Sequence, residues 1–170
     1  IACALALPAS AGIDVWTSLG PEGGRIRQVV VARAAPATVY AVGDGGAWKS
    51  VDAGAHWSPA RNGITELTLQ AVAVDSANPQ VVYVASILGG GVFKSVDGGA
   101  SWSQANNGLA ITAIRSLAVD PVTPANVYAG TDCCGMYKSV DAGARWTKLE
   151  GGLPVSSVVA IVVDPAAPAT

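Results

Sequence analysis

The sequence repeats one phrase three times: SVDAGAHW (Ser50–Trp57), SVDGGASW (Ser95–Trp102) and SVDAGARW (Ser139–Trp146). Each copy reads Ser-Val-Asp-x-Gly-Ala-x-Trp, and consecutive copies lie 45 and 44 residues apart. Self-similarity at this period, with short apolar runs between the copies, is typical of an architecture built from stacked supersecondary units. The phrase therefore divides the chain into repeats of 44 to 45 residues.

Each repeat contains four short runs that predict strands, because they are rich in Val, Tyr, Phe and Trp and are bounded by Gly, Pro, Asn and Asp. Residues 28–40, 71–83 and 116–128 align position by position as two strands joined by a turn. A Gly-rich or Cys-containing loop and a third strand follow, and the repeated phrase turns the chain into the fourth strand. No stretch has a helical period. The first strand of each repeat is the most continuously apolar, so we expect it to be covered on both faces.

Four antiparallel strands per repeat at this period predict an all-β fold, namely a β-propeller fragment with about three complete blades and partial terminal strands. The expected segments are a signal-peptide remnant at 1–11, the closing strand of an incomplete blade at 12–25, blades at 26–66, 67–110 and 111–154, and the start of a fourth blade at 155–170. Propeller rings have about four to eight blades. The missing blades are therefore expected from the rest of a longer chain, with assembly of several copies as the alternative.

The composition of the chain argues against some classes of binding partner. Only 13% of the residues are charged and the formal net charge is -2. The Lys and Arg residues are scattered singly, which argues against a nucleic-acid partner. Three Cys and one His form no zinc-binding pattern, so we expect no metal and no cofactor.

The first eleven residues, IACALALPASA, form an apolar run that ends in an A-x-A triplet, as the end of a secretory signal peptide does. The run is too short to span a bilayer, so no membrane insertion is expected. It predicts a secreted, periplasmic or cell-surface location.

The repeated phrase resembles the Asp-box, or BNR repeat, whose pattern is Ser/Thr-x-Asp-x-Gly-x-x-Trp/Phe; all three copies match at the four fixed positions. The flanks NVYAGT…GMYKS and NNGL look like the exported bacterial members of this family. Sortilin-type receptors, photosystem assembly factors, sialidases and xyloglucanase-type glycosidases share the unit. We expect the box to be structural, with the Asp accepting turn N–H groups and the Trp covering the hairpin. The box residues are Ser50, Asp52, Gly54, Trp57, Ser95, Asp97, Gly99, Trp102, Ser139, Asp141, Gly143 and Trp146.

Because strands alternate direction, the loop between the second and third strands lies on the side opposite the box. These loops are 43–46, 87–91 and 131–135, and the resemblance implies that ligand sites lie on their side. The candidate binding residues are Asp44, Arg61, Asn62, Glu66, Asn106, Asn107, Arg115, Asp132 and Glu150.

The stretch TDCCGMYK (131–138) resembles the Thr-Asp-x-Gly-Gly-x-Tyr-Arg stretch that carries a catalytic Asp in xyloglucanase-type enzymes. This resemblance makes Asp132, and Asp44 in the shorter GDGGAWK, candidate catalytic residues. The match departs from the pattern where Cys134 replaces a Gly. No second catalytic carboxylate is identifiable, although glycoside cleavage by the usual mechanism needs two. A sialidase is less favoured, since the sequence lacks its Arg-Ile-Pro stretch.

Adjacent Cys133 and Cys134 leave two alternatives open, a vicinal disulfide or two reduced, half-buried thiols. Together the observations favour an exported, non-catalytic β-propeller binding or scaffold module for a protein or a cell-surface polysaccharide. The alternative is a fragment of an Asp-box glycoside hydrolase, xyloglucanase-like rather than sialidase-like.

Overall fold

The computed structural model describes residues 24–150 and 156–166, and these form three four-stranded antiparallel sheets in chain order. Sheet 1 contains β1 (Ile26–Val31), β2 (Val39–Gly43), β3 (Gly46–Ser50) and β4 (Ser58–Pro59). Sheet 2 contains β5 (Leu69–Val74), β6 (Val82–Ser86), β7 (Val92–Ser95) and β8 (Ser103–Gln104). Sheet 3 contains β9 (Ile114–Val119), β10 (Val127–Thr131), β11 (Met136–Ser139) and β12 (Thr147–Lys148). The predicted all-β propeller fold is confirmed, and the sheets are its blades.

The strands pair as a meander, so each sheet has the order first, second, third, fourth. The first strands of neighbouring sheets contact one another, β1 with β5 and β5 with β9. One apolar core lies between sheets 1 and 2 around Tyr40, Leu69 and Phe93. A second lies between sheets 2 and 3 around Tyr83, Ile114 and Trp146.

The expectation that the first strand is covered on both faces is met by β5, whose Leu69 and Val72 pack in one core and whose Ala71 and Ala73 pack in the other. It is wrong for β1, and burial is most complete in the second strands of sheets 1 and 2. Every residue of β2 and β6 is buried. In β1, by contrast, Val29 and Val31 are 52% and 55% exposed. The second strand has a neighbour on each side within its own sheet, whereas the first is an edge strand. No sheet precedes β1 among the described residues.

Polar contacts join each sheet to the next at equivalent positions. The Tyr83 hydroxyl and the Lys94 ammonium both donate to the Ala142 carbonyl, at 2.9 and 2.8 Å. In the reverse direction, the Trp146 indole N–H donates to the Ala105 carbonyl at 2.7 Å. The same arrangement joins sheets 1 and 2. There the Gly98 carbonyl accepts from Tyr40 and Lys49, and the Trp102 indole donates to the Ala60 carbonyl. These contacts fix the second and third box turns against the preceding sheet.

The predicted signal-peptide remnant (1–11) lies outside the described residues, and so does most of the predicted closing strand (12–25). Residues 156–166, within the expected start of a fourth blade, contain no assigned strand. This segment follows sheet 3, where the Val158 N–H donates to the Thr131 carbonyl and the Ser116 hydroxyl donates to the Val158 carbonyl.

Candidate functional site

The blades present two different sides. On one side, which we call the box face, each box turn bonds to the turn between the first two strands of its own sheet: the N–H groups of Ala53 and Ala142 donate to the carbonyls of Ala37 and Ala125, both at 2.8 Å. On the other side, the loop face, the loop after the second strand bonds to the segment that enters a first strand. The Asp132 N–H donates to the Ala113 carbonyl there, at 3.0 Å.

The three box turns have the same internal geometry. In the second copy, the Ser95 hydroxyl donates to Asp97 at 2.7 Å and accepts from the Gly99 N–H at 2.8 Å. The Ser101 N–H donates to the same carboxylate at 2.9 Å. Equivalent bonds form around Asp52 and Asp141. Each box carboxylate is thus used within its own turn.

These hydrogen bonds lower the pKa of every box aspartate, because they favour the charged form. The Ser101 hydroxyl contributes most to Asp97, whose pKa falls to about 2. For Asp52 the largest contribution to the lowered pKa is the backbone N–H of His56. For Asp141 it is the Ser139 hydroxyl. A carboxyl that stays ionised and holds its own turn is unsuited to proton donation at neutral pH.

A groove of about 250 Å³ opens on the box face between sheets 1 and 2, and its charged lining is already engaged. Lys49 donates to the Gly98 carbonyl at 2.8 Å. Nδ1 of the exposed His56 lies 2.6 Å from a carboxylate oxygen of Asp52. The groove therefore belongs to the contact between blades.

On the loop face, both candidate catalytic carboxylates are paired with arginine. Arg27 donates through Nε and Nη2 to one oxygen of Asp44, at 2.9 and 2.7 Å. Arg115 contacts Asp132 through the same two nitrogens. Both pairs span 17 residues and occupy matching positions in sheets 1 and 3. Sheet 2 has Gln70 and Ile87 at these positions and therefore has no such pair.

Arg27 also reaches the neighbouring sheet, since its Nη1 donates to the Gln70 side chain at 2.8 Å. Neither Arg27 nor Gln70 was among the predicted site residues. The signal that could have revealed Arg27 is the shared 17-residue spacing of Arg and Asp in the first and third repeats.

Three other predicted binding residues support loops through their side chains. Arg61 donates to the Gly45 carbonyl at 3.0 Å, and Glu66 accepts from the Thr68 N–H at 2.8 Å. Asn106 accepts from the Val92 N–H at 2.7 Å and donates to the Gly90 carbonyl at 3.1 Å. Arg61 therefore supports loop 43–46 and Asn106 supports loop 87–91, whereas the Glu66 carboxylate holds its own segment before β5.

The remaining predicted residues lie elsewhere. The carbonyls of Asn62 and Asn107 accept the backbone N–H of the next box tryptophan, at 2.9 and 2.8 Å, so both lie in the contacts between sheets. Glu150 is exposed and lies 3.9 Å from Lys148. The structure thus brings Asp132 and Arg115 together and separates Asn62, Asn107 and Glu150 from them.

Cys133 and Cys134 are joined by a disulfide next to Asp132. The Cys134 N–H donates to the Thr131 hydroxyl at 2.8 Å, and that hydroxyl donates to the Gly135 carbonyl at 2.8 Å. Of the two alternatives that the sequence left open, the structure adopts the disulfide. Loop 131–135 is therefore closed by both covalent and hydrogen bonds.

Metal-ligand clusters and membrane-spanning helices are both absent from the residues that the structure describes. Within residues 24–150 and 156–166, no three His, Cys, Asp or Glu side chains cluster as metal ligands would. The same residues include no helix of the length and apolarity needed to cross a membrane.

Comparison with known proteins identifies the fold. Neither a protein-family model nor a curated protein matches the chain. Among solved structures, an ancestral GH74 enzyme matches with 22% identity and a TM-score of 0.72, over 90% of this chain and 22% of that chain. The GH74 xyloglucanase from Xanthomonas campestris has 26% identity and a TM-score of 0.61, over 74% and 21%. YCF48 bound to D1 peptide has 16% identity and a TM-score of 0.62, over 76% and 42%. The chain thus spans about a fifth to two fifths of these proteins.

Proposed function

We propose that the chain is part of an exported Asp-box propeller that binds a protein or a cell-surface polysaccharide through its loop face and catalyses no reaction. The observation that carries this proposal is the pairing of Asp44 and Asp132 with arginine. Each carboxylate has a guanidinium group as its charged partner.

Glycoside hydrolysis by the usual route needs two carboxyl groups, one that donates a proton and one that acts as nucleophile or base. At Asp132 the facing group is Arg115, which can neither accept a proton nor attack a sugar. Two Arg–Asp pairs instead provide donors and acceptors at fixed positions. Such a surface suits recognition of a polar partner.

The three box turns support the assignment to the Asp-box family. In each turn the fixed Ser, Asp and Gly form the same hydrogen bonds. The fixed Trp packs at the contact with the preceding sheet in the second and third copies. The fixed Ser, Asp and Gly of all three copies, and the fixed Trp of the second and third, are thus engaged in structural contacts, which leaves the loop face for binding.

A protein partner is consistent with the similarity to YCF48, a propeller solved with a bound peptide. A polysaccharide partner is consistent with the similarity to the GH74 proteins. The same similarity, with the TDCCG stretch, supports the second candidate function, a fragment of a xyloglucanase-like hydrolase. That candidate requires a second carboxylate facing Asp132 from blades outside this chain.

Export is proposed from the apolar run at 1–11. Expression of the gene with its native N-terminus, followed by sequencing of the mature N-terminus, tests it. Cleavage after Ala11 and recovery outside the cytoplasm are expected. An uncleaved cytoplasmic product would contradict export.

Hydrogen–deuterium exchange, measured with xyloglucan oligosaccharides in one arm and a peptide library in the other, tests the binding proposal. We expect protection of loops 43–46 and 131–135 in one arm, with the box turns unchanged. Arg115→Ala should weaken that binding, whereas Lys148→Ala, at an exposed site near Glu150, should not. Protection confined to the box turns, or no binding in either arm, would contradict the proposal.

A further inference from the structure

The Cys133–Cys134 disulfide lies at an accessible position on the loop face. Cys133 is exposed and Cys134 is half-buried. An attacking thiolate must reach a sulfur atom for thiol–disulfide exchange to proceed. The exposed Cys133 provides that access.

This disulfide cannot act as an ordinary structural cross-link. A disulfide stabilises a fold mainly by restricting the unfolded chain, and its effect grows with the length of the loop that it closes. Here the bonded cysteines are adjacent, with a sequence separation of 1. The unfolded chain therefore loses little freedom, and the effect of the bond is confined to its own loop.

Within that loop, the disulfide ring is directly connected to the Arg115–Asp132 pair. Asp132 precedes Cys133, and its N–H is held by the Ala113 carbonyl. On the other side of the ring, the Cys134 N–H is held by the Thr131 hydroxyl. The backbone between these two anchors positions the Asp132 carboxylate. Opening the ring gives that backbone more freedom.

Sheet 1 provides an internal comparison. Its Arg27–Asp44 pair has the same spacing and the same donor atoms. Loop 43–46 holds Asp44 in a short turn without cysteine. Any dependence on a reductant should therefore appear at Arg115 and not at Arg27.

We propose that Cys133–Cys134 is a thiol–disulfide exchange site whose redox state controls how firmly Asp132 is held against Arg115. The reductant is a dithiol, either a small molecule or a protein. One of its thiolates attacks Cys133 Sγ, and the S–S bond breaks with Cys134 leaving as a thiolate that takes up a proton. The second thiol then displaces Cys133, so the dithiol becomes a disulfide and the cysteines become two thiols. Two electrons and two protons are transferred in total.

The test uses the whole chain with Cys3→Ser, so that alkylation reports on this pair alone. The protein is equilibrated in mixtures of reduced and oxidised dithiothreitol, alkylated and weighed intact. In parallel, nitrogen-15 spectra record the Nε–H signals of Arg115 and Arg27. Without reductant we expect no alkylation. On reduction we expect two alkyl groups, and exchange of the Arg115 Nε–H with water about tenfold faster, the factor that corresponds to one weakened hydrogen bond. Reoxidation should restore both.

The Arg27 signal is the control and should not move. The variant Cys133→Gly/Cys134→Gly, which copies Gly89-Gly90 of the second loop, should show the faster Arg115 exchange under oxidising conditions and no response to reductant. If this variant does not fold, the redox titration of the Cys3→Ser chain alone tests the proposal. Alkylation of both cysteines without reductant would overturn the proposal. Reduction that leaves Arg115 unchanged, or that changes Arg27 equally, would overturn it as well.

Discussion

Replacement of Gly63 by Ala tests the packing between sheets 1 and 2. Gly63 has φ +92°, and a Cβ there would lie 2.2 Å from the Trp102 carbonyl oxygen. Gly89 is the matched control, because its φ is +96° but its Cβ would meet only the Thr112 hydroxyl, at 3.8 Å. Both substitutions incur the same backbone strain, so their difference isolates the contact between sheets.

The magnitude follows from these contacts. A positive φ costs an L-residue about 1–2 kcal/mol, and this cost applies to both variants. At Gly63 the sheets must also separate by roughly 1 Å, since a Cβ essentially never lies under 3.0 Å from another heavy atom. That movement weakens two hydrogen bonds, from the Trp102 N–H to Asn62 at 2.9 Å and from its indole to Ala60 at 2.8 Å. At about 1 kcal/mol each, Gly63→Ala should destabilise the chain by about 2 kcal/mol more than Gly89→Ala.

Urea unfolding followed by tryptophan fluorescence measures this difference, and thermal unfolding followed by circular dichroism provides a second estimate. The excess corresponds to a drop of about 4–8 °C in the midpoint of thermal unfolding. Equal free energies of unfolding for the two variants would refute the predicted packing between the sheets.

Three further predictions concern groups buried or bonded in the blades. Tyr83→Phe removes one hydrogen bond to the Ala142 carbonyl, which still accepts from Lys94, so the free energy of unfolding in urea should fall by about 0.5–1 kcal/mol. Tyr128→Phe is the control, since no partner of that hydroxyl occurs among the described residues. An equal loss in the two variants would contradict the prediction. Burial raises the pKa of Tyr40 and Tyr83 from 10.0 to about 12, so their contribution to stability should be complete below pH 10 and be lost as pH rises towards 12; unfolding midpoints that do not change over this range would argue against it. The lowered pKa of Asp97 predicts a contribution present above about pH 4 and lost as pH falls from 3.8 to about 2, and an Asp97→Asn chain with the same acid unfolding curve as the parent would disprove it.

The strands were predictable because the information that sets them is local. The hydrogen bonds inside each box turn join residues no more than four positions apart, such as Gly99 with Ser95. The phrase therefore fixes where β7 ends and the chain turns towards β8, and its repetition locates the other sheets.

The loop-face pairs were harder to predict because they depend on register. Arg27 and Asp44 meet only because β1 and β2 pair with a bulge between Ile26 and Gln28. Hydrophobic patterns do not reveal such a bulge. The greater burial of β2 was missed for a related reason, since apolar content does not tell an edge strand from a central one.

The central claim, that the loop face binds without catalysing, is tested most directly by reducing-sugar release from xyloglucan and other β-glucans. The assay compares the complete gene product with its Asp132→Asn variant. The arginine pairing predicts no release above buffer by either protein. Release that disappears with Asp132→Asn would contradict the proposal and identify the chain as part of a glycoside hydrolase.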